Sequence, residues 1–164
     1  MIVSNSSPMI MLAKQGMLGI MRNCFGKVII PKNVYDEVAR KEESPEIIAL
    51  DKAIKDRWIA VEKVTVASAL QTKKLGQGEK EAISLAVKRK CMLIIDDDSA
   101  KAYASIFGIE AHGVLFVIYL AYKKKIIDHD DAVNAMEGMA VDGFYVSHNV
   151  YIRFFDLLNS EEDK

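Results

Sequence analysis

Short apolar runs alternate with longer amphipathic segments along the chain. The runs at residues 2–3, 28–30, 58–64 and 91–95 predict strands, and a weaker run at 109–113 predicts an edge strand. The run from Cys91 to Ile95 has no polar positions between its apolar ones, which is typical of a strand buried on both faces of a parallel sheet. Strands that alternate with helices predict a three-layer α/β/α sandwich with a mainly parallel sheet.

Proline and serine mark the predicted helix starts. Ser6 or Ser7 is placed to cap a helix whose first residue is Pro8, and Pro31 begins another helix. Further helices are predicted at residues 45–55, from about Glu79, and at 99–108 and 114–125, with a helical segment at 128–158 that breaks near Gly143. We expect a single domain over residues 1–158 and a flexible tail at 159–164.

Composition narrows the class of protein. The chain has 164 residues, 51% of them hydrophobic, which is enough for one domain with a core. A net charge of −1 argues against a disordered chain and against nucleic-acid binding through overall charge. Cys24 and Cys91 form no CxxC motif, and the longest apolar stretch, residues 113–122, is about half of the roughly 20 residues that a membrane span needs. We expect a cytoplasmic protein without a signal peptide or membrane span.

Polar side chains follow two of the predicted strands. Asn5 comes after the first, and "DDD" at positions 96–98 comes directly after the buried run. The carboxyl ends of parallel strands share one edge of a sheet, where ligands bind in α/β proteins. Oxygen ligands suit Mg²⁺ or Mn²⁺, which can activate water for phosphodiester hydrolysis. The candidate set is Asn5, Glu37, Glu79 or Glu81, Asp96, Asp97 and Asp98.

Other interpretations remain open for the same residues. Three acids at a helix start also interact well with the helix dipole and cap free N–H groups, and Glu37 can be a solvated helix residue. "LGQGEKE" lacks the endings of a phosphate-binding loop, and too few residues follow Asp98 for a phosphate-accepting receiver domain. "DHDD" at 128–131 is explained better as acids at a helix start than as a metal site through His129.

Taken together, these motifs resemble those of a known family. The segments "IVSNSSPMIMLAK", "IIPKNVYDEV", "LGQGEKEAISLA" and "LIIDDDSAK", in this order and spacing, resemble PIN-domain proteins, especially an archaeal and bacterial branch related to VapC-type toxins. The resemblance extends to about residue 155. It implies an α/β/α sandwich, a carboxylate cluster that binds Mg²⁺ or Mn²⁺, and ribonuclease activity.

The resemblance also implies roles for individual residues. It assigns the family's acidic positions, as catalytic and metal-binding residues, to Asn5, Glu37, Glu81 and Asp97, with Asp96 as an adjacent ligand. Ser7, Asp98 and Glu79 take supporting positions. Asn5 departs from the family pattern, because an amide oxygen carries no charge and should bind a cation more weakly than a carboxylate.

Two functional hypotheses follow. The first is a metal-dependent endoribonuclease, of which the toxin of a toxin–antitoxin pair is the more specific form, and the second is a catalytically degraded module that binds RNA or a partner protein. The resemblance suggests a homodimer and a small antitoxin protein as partners. A solvated helix end explains the lysine run at 123–125 better than an RNA contact does. Together with the run at 88–90 it is nevertheless the best candidate surface for RNA phosphates, and the residues concerned are Lys88, Arg89, Lys90, Lys123, Lys124 and Lys125.

Overall fold

The central layer of the molecule is one parallel sheet. The computed structural model describes residues 1–162, and in this range five strands pair in the order β3-β2-β1-β4-β5, with every neighbouring pair parallel. The predicted parallel sheet is therefore confirmed. The strands are β1 (Ile2–Ser4), β2 (Val28–Pro31), β3 (Ile59–Glu62), β4 (Leu93–Ile94) and β5 (Ala111–His112).

Helices cover both faces of the sheet. They are α1 (Ser6–Lys14), α2 (Gly19–Phe25), α3 (Lys32–Ala39), α4 (Pro45–Lys55), α5 (Gln77–Arg89), α6 (Asp98–Ile106), α7 (Val114–Lys123), α8 (His129–Val141) and α9 (His148–Glu162), with a short 3₁₀ helix at Ser68–Leu70. Ile2 and Ile30 belong to the core on one face, whereas Val3 and Ile29 belong to the core on the other. Because successive strand residues point to opposite faces, both cores form on one sheet, as the predicted sandwich requires.

The order of the strands reverses at β1. The chain builds β2 and β3 on one side of β1, then crosses over to place β4 and β5 on the other side. The carboxyl ends of β1 and β4 therefore form a topological switch point, which is where open α/β sheets bind ligands. We call the residues that gather there the acidic edge, namely Asn5, Glu37, Glu79, Asp96 and Asp97.

The C-terminal part divides into two helices, as the predicted break near Gly143 required. Gly143 has a φ of 93°, a left-handed conformation that glycine adopts without strain. Phe154 and Leu158 are buried in the core, so α9 packs onto the domain. Residues 159–162 of the expected tail continue this helix, whereas residues 163 and 164 lie outside the described residues.

The acids at the start of α8 cap that helix. Asp128 and Asp131 accept each other's backbone N–H at the start of α8, with N···O distances of 2.8 and 3.2 Å, so the acids of "DHDD" act as a capping pair. In the part of the chain that the structure describes, no helix combines the length and apolar character needed to cross a membrane.

Candidate functional site

Asn5 lies at the centre of the acidic edge. Its backbone N–H donates to the carbonyl oxygen of Ile94 at 2.9 Å, which holds the ends of β1 and β4 together. The residue is only 6% exposed, and its side-chain oxygen Oδ1 is buried without a hydrogen-bond partner. A buried acceptor left unpaired costs about 1–3 kcal/mol, so this oxygen is available to a cation or a donor.

The first turn of α1 connects two carboxylates on opposite sides of β1. Ser6 Oγ donates to Oε2 of Glu37 at 2.5 Å, and Ser7 Oγ donates to Oδ2 of Asp96 at 3.1 Å. Glu37 arrives on α3, which follows β2, whereas Asp96 follows β4 directly. The two serines thereby fix the carboxylates that flank Asn5. The sequence singled out Ser7 as a supporting residue but missed the contact of Ser6.

A glycine allows Glu37 to approach the start of α5. A Cβ atom on Gly78 would lie 2.5 Å from Oε1 of Glu37, which is far inside van der Waals contact. Any side chain here would therefore displace the carboxylate. The sequence alone does not indicate this role of Gly78, because it depends on how α3 packs on α5.

Glu79 interacts with two other acids at this edge. Its carboxylate accepts the backbone N–H of Gly76 at 2.9 Å. Burial raises the pKa of Glu79, and the negative charges of Asp97 and Glu37 raise it further, whereas the Gly76 hydrogen bond acts in the opposite direction. The carboxylates of Glu37, Glu79 and Asp97 thus share one electrostatic neighbourhood.

The three consecutive acids have three different environments. Asp96 is held on both oxygens, by Ser7 and by the Val114 N–H at 2.8 Å, and burial raises its pKa despite these bonds and the nearby charge of Lys101. Asp97 caps α6 by accepting the Ala100 N–H at 2.8 Å. The side chain of Asp98 is 99% exposed. Capping, hydrogen bonding and solvation each reduce the mutual repulsion of the three charges.

Glu81 is buried between α3 and α5. Oε1 accepts from Nδ2 of Asn33 at 2.5 Å and from Nε2 of Gln77 at 3.1 Å, and Oε2 accepts the Asn33 N–H at 3.4 Å. Both oxygens of the residue that the resemblance assigned as a ligand are therefore already hydrogen-bonded. Sequence reasoning missed Asn33 and Gln77, although Gln77 and Glu81 have the four-residue spacing that brings side chains together on a helix.

The basic runs lie at the other edge of the sheet. Arg89 is about 15 Å along the axis of α5 from Glu79, and Lys123 is about as far along α7 from Val114. Lys124 donates to the carbonyl oxygen of Cys24, shortly before β2, whereas the side chain of Arg89 reaches Glu62, the last residue of β3. Both α5 and α7 run back across the sheet from the acidic edge, so the basic residues at their ends lie away from the acids. These residues are Lys88, Arg89, Lys90, Lys123, Lys124 and Lys125.

The acidic edge has the donor chemistry of a divalent-cation site. The Asn5 amide oxygen and the carboxylates of Glu37, Glu79 and Asp97 are the oxygen ligands that Mg²⁺ and Mn²⁺ use. Among the side chains of residues 1–160, no three from His, Cys, Asp or Glu converge closely enough to hold a metal ion. The residue types therefore fit a cation, and coordination by several of them would require side-chain rotation.

Comparison with known proteins identifies the family. The model of the family DUF3368, described as a PIN domain, matches residues 1–160. The structure is similar to a PilT N-terminus domain protein from the hyperthermophilic archaeon Sulfolobus solfataricus P2, with 19% sequence identity and a TM-score of 0.53, over 71% of this chain and 90% of that one. This likeness concerns the fold alone. No curated protein matches the sequence. The match over nearly the whole chain confirms the resemblance read from the motifs, and the chain belongs to the PIN-domain family.

Proposed function

We propose that the protein is a Mg²⁺- or Mn²⁺-dependent endoribonuclease that hydrolyses RNA phosphodiester bonds at the acidic edge. The observation that carries the proposal is the buried, unpaired Oδ1 of Asn5 at the topological switch point. Carboxylates flank it on the neighbouring elements, through Glu37 after β2 and Asp97 after β4. An unpaired acceptor among acids is costly in a purely structural role and is useful in a cation site.

The side chains of the acidic edge would have different roles. Asn5, Glu37 and Asp97 would hold the cation, which when bound supplies an activated water and stabilises charge on the phosphate. Ser6 orients Glu37, because its hydroxyl donates directly to that carboxylate. Ser7 likewise orients Asp96, whose second oxygen the Val114 N–H occupies.

Glu79 and Glu81 are the two candidates for the third carboxylate ligand. The resemblance assigns it to Glu81, but both oxygens of Glu81 already accept hydrogen bonds from Asn33 and Gln77. Glu79 fits this role better, because the hydrogen bond from the Gly76 N–H engages one of its oxygens and its charge interacts with those of Asp97 and Glu37. We propose Glu79 as the ligand and Glu81 as the residue that positions α3 against α5.

Cleavage of a mixed-sequence single-stranded RNA tests the function. Purified protein is compared in Mn²⁺, Mg²⁺ and EDTA with the variants Asp97→Asn and Glu37→Gln. Glu137→Gln, an exposed acid on α8, is the matched control for a contaminating nuclease. We expect metal-dependent cleavage that both site variants lose and the control retains. Cleavage that persists in Asp97→Asn and Glu37→Gln would refute the assignment.

A second candidate function is a binding module that holds RNA or a partner protein without cutting. The neutral Asn5 favours it, because loss of one negative charge weakens cation binding. Asn5→Asp separates the two functions. A gain of cleavage would indicate an impaired catalytic site, whereas binding without cleavage in either form would support the module.

Two partners are proposed for the chain, namely a second copy of itself and an antitoxin protein. The resemblance suggests a homodimer and, for a toxin, a small antitoxin protein. Light scattering of the purified chain tests the first, and co-purification with the product of a neighbouring small gene tests the second.

A further inference from the structure

A second recess lies directly beside the acidic edge. It is a cleft of about 280 Å³ between the start of α6, the start of α7 and the segment that joins α8 to α9. We call it the aromatic cleft. Its lining includes Asp96, Asp98, Lys101, Phe116, Phe144 and Tyr145.

Three aromatic residues line the cleft. Phe116 stacks on His112, with ring centroids 3.9 Å apart and planes 14° from parallel. Phe144 is anchored by its backbone N–H, which donates to the carbonyl oxygen of Met139 at 2.9 Å. Tyr145, the next residue, is 86% exposed. A large ring exposed at the rim of a cleft is more typical of a binding surface than of a core.

Polar groups at the cleft are only partly engaged. Both oxygens of Asp96 are occupied by Ser7 and Val114. Asp98 is almost fully exposed, and its Oδ1 lies 3.5 Å from Nζ of Lys101, a distance at the limit of hydrogen bonding. Lys101 therefore keeps donors for an incoming anion, and Asp98 keeps acceptor positions for an incoming N–H group.

We propose that the aromatic cleft binds one unpaired nucleotide of the RNA strand, with its base stacked on Tyr145 and its phosphate beside Lys101. This inference rests on the proposed function and extends it to substrate recognition. The volume is just below the range of small-molecule pockets, about 300–1,000 Å³, so it suits one base. Asp96 joins the cleft to the acidic edge through Ser7, so the bound nucleotide would adjoin the cleaved bond.

The position of Asp98 also predicts which bases are preferred. A carboxylate accepts hydrogen bonds from the exocyclic amino group of cytosine, whereas uracil presents a carbonyl oxygen at the same position. We therefore expect cytosine to bind more tightly than uracil. An apolar peptide segment would use the rings of Phe116 and Tyr145 but not the remaining donors of Lys101 or acceptors of Asp98, whereas a nucleotide would use both kinds of group, which favours the nucleotide.

The test measures binding without cleavage. Fluorescence anisotropy of labelled five-nucleotide oligo-C and oligo-U is recorded with the full chain in EDTA. We expect Tyr145→Ala to weaken oligo-C binding roughly 5- to 150-fold, which is the range for loss of one stacked base. Tyr151→Ala, an exposed tyrosine on α9 outside the cleft, is the matched control and should bind like the wild type. Asp98→Asn should reduce the preference for oligo-C.

The outcomes separate this inference from the proposed function. Oligo-C affinity unchanged in Tyr145→Ala would overturn the inference and leave the cleft to a protein partner, even if the protein cleaves RNA. Binding that depends on Tyr145 and Asp98 in a protein that never cleaves would support the inference and contradict the nuclease. Equal loss in Tyr145→Ala and Tyr151→Ala would overturn the inference, because the effect would not be specific to the cleft.

Discussion

Gly78→Ala changes the acidic edge without removing any charged group. The added Cβ would lie 2.5 Å from Oε1 and 3.2 Å from Cδ of Glu37. Carbon and oxygen atoms in ordinary contact are about 3.5 Å apart, so the carboxylate must retreat by about 1 Å. It is the far end of a flexible side chain and can rotate away. In doing so it would lose the 2.5 Å hydrogen bond from Ser6.

The cost in stability should be small and the cost in activity large. Loss of a hydrogen bond to a charged group costs about 1.5–3 kcal/mol, whereas alanine in place of a helical glycine gains up to about 1 kcal/mol. With the full gain, the net loss of about 0.5–2 kcal/mol lowers the melting temperature of a chain this size by roughly 1–8 °C. A displacement of about 1 Å at a catalytic group can reduce the rate about 100-fold.

Gly76→Ala is the matched control. Its added Cβ would meet only Oε2 of Glu79, at an ordinary 3.8 Å, and its φ of −68° suits alanine. Mn²⁺-dependent RNA cleavage and thermal melting are measured for both variants. We expect Gly78→Ala alone to lose about two orders of magnitude in rate. A wild-type rate in Gly78→Ala would refute a role for the position of Glu37, and an equal loss in Gly76→Ala would indicate a general effect on the helix start.

Two further predictions concern the charges of the edge. Asn5→Asp places an unpaired carboxylate in a buried position, so the variant should melt roughly 2–12 °C lower than the wild type in EDTA. Mn²⁺ should restore its melting temperature, because a cation bound to the folded state stabilises it. The same melting temperature for the variant in EDTA and in Mn²⁺ would exclude cation binding at this position. The raised pKa of Glu79 means that wild-type stability falls as the pH rises from the ordinary glutamate value through the folded-state pKa. Glu79→Gln should therefore have a larger free energy of unfolding than the wild type at pH 7 in EDTA, as measured by urea titration. The difference between the two proteins should shrink towards pH 4, and a difference that grows on acidification would contradict the prediction.

The position of the acidic edge was predictable from the sequence. The continuous apolar run before Asp96 predicts a strand in a parallel sheet, and such strands have their carboxyl ends together. That reasoning alone places Asn5 and Asp96 at one edge, as the structure does. The partners of neighbouring serines were not predictable. Ser6 and Ser7 point about 100° apart on α1, and the packing of Met9 and Leu12 sets the rotation of the helix.

The choice between Glu79 and Glu81 depends on the same kind of information. Two positions apart on a helix, their side chains differ in direction by about 200°. Glu81 therefore contacts Asn33 on α3, whereas the charge of Glu79 interacts with that of Asp97. The apolar residues that follow, Ala82 and Ile83, show where the core begins but not how α5 is rotated against α3.

The placement of the basic runs, by contrast, was open to reasoning from topology. A helix that leads into a strand of a parallel sheet begins at the carboxyl edge and ends at the amino edge. Lys88, Arg89 and Lys90 precede β4, so they belong at the amino edge, away from the acids. Clustering of cations along the sequence indicated an RNA surface without indicating which edge it occupies.

The same topology explains how acids persist together at the carboxyl edge. The N-termini of α1, α5 and α6 meet there, and each favours a nearby negative charge by about 0.3–1 kcal/mol. Asp97 uses such a terminus directly, by capping α6. A neutral Asn5 at the centre removes one further repulsive charge from the metal-free protein. Compared with an aspartate at this position, Asn5 should therefore favour the fold without a cation and bind a cation more weakly. Asn5→Asp should reverse both effects, with tighter cation binding and lower stability in EDTA.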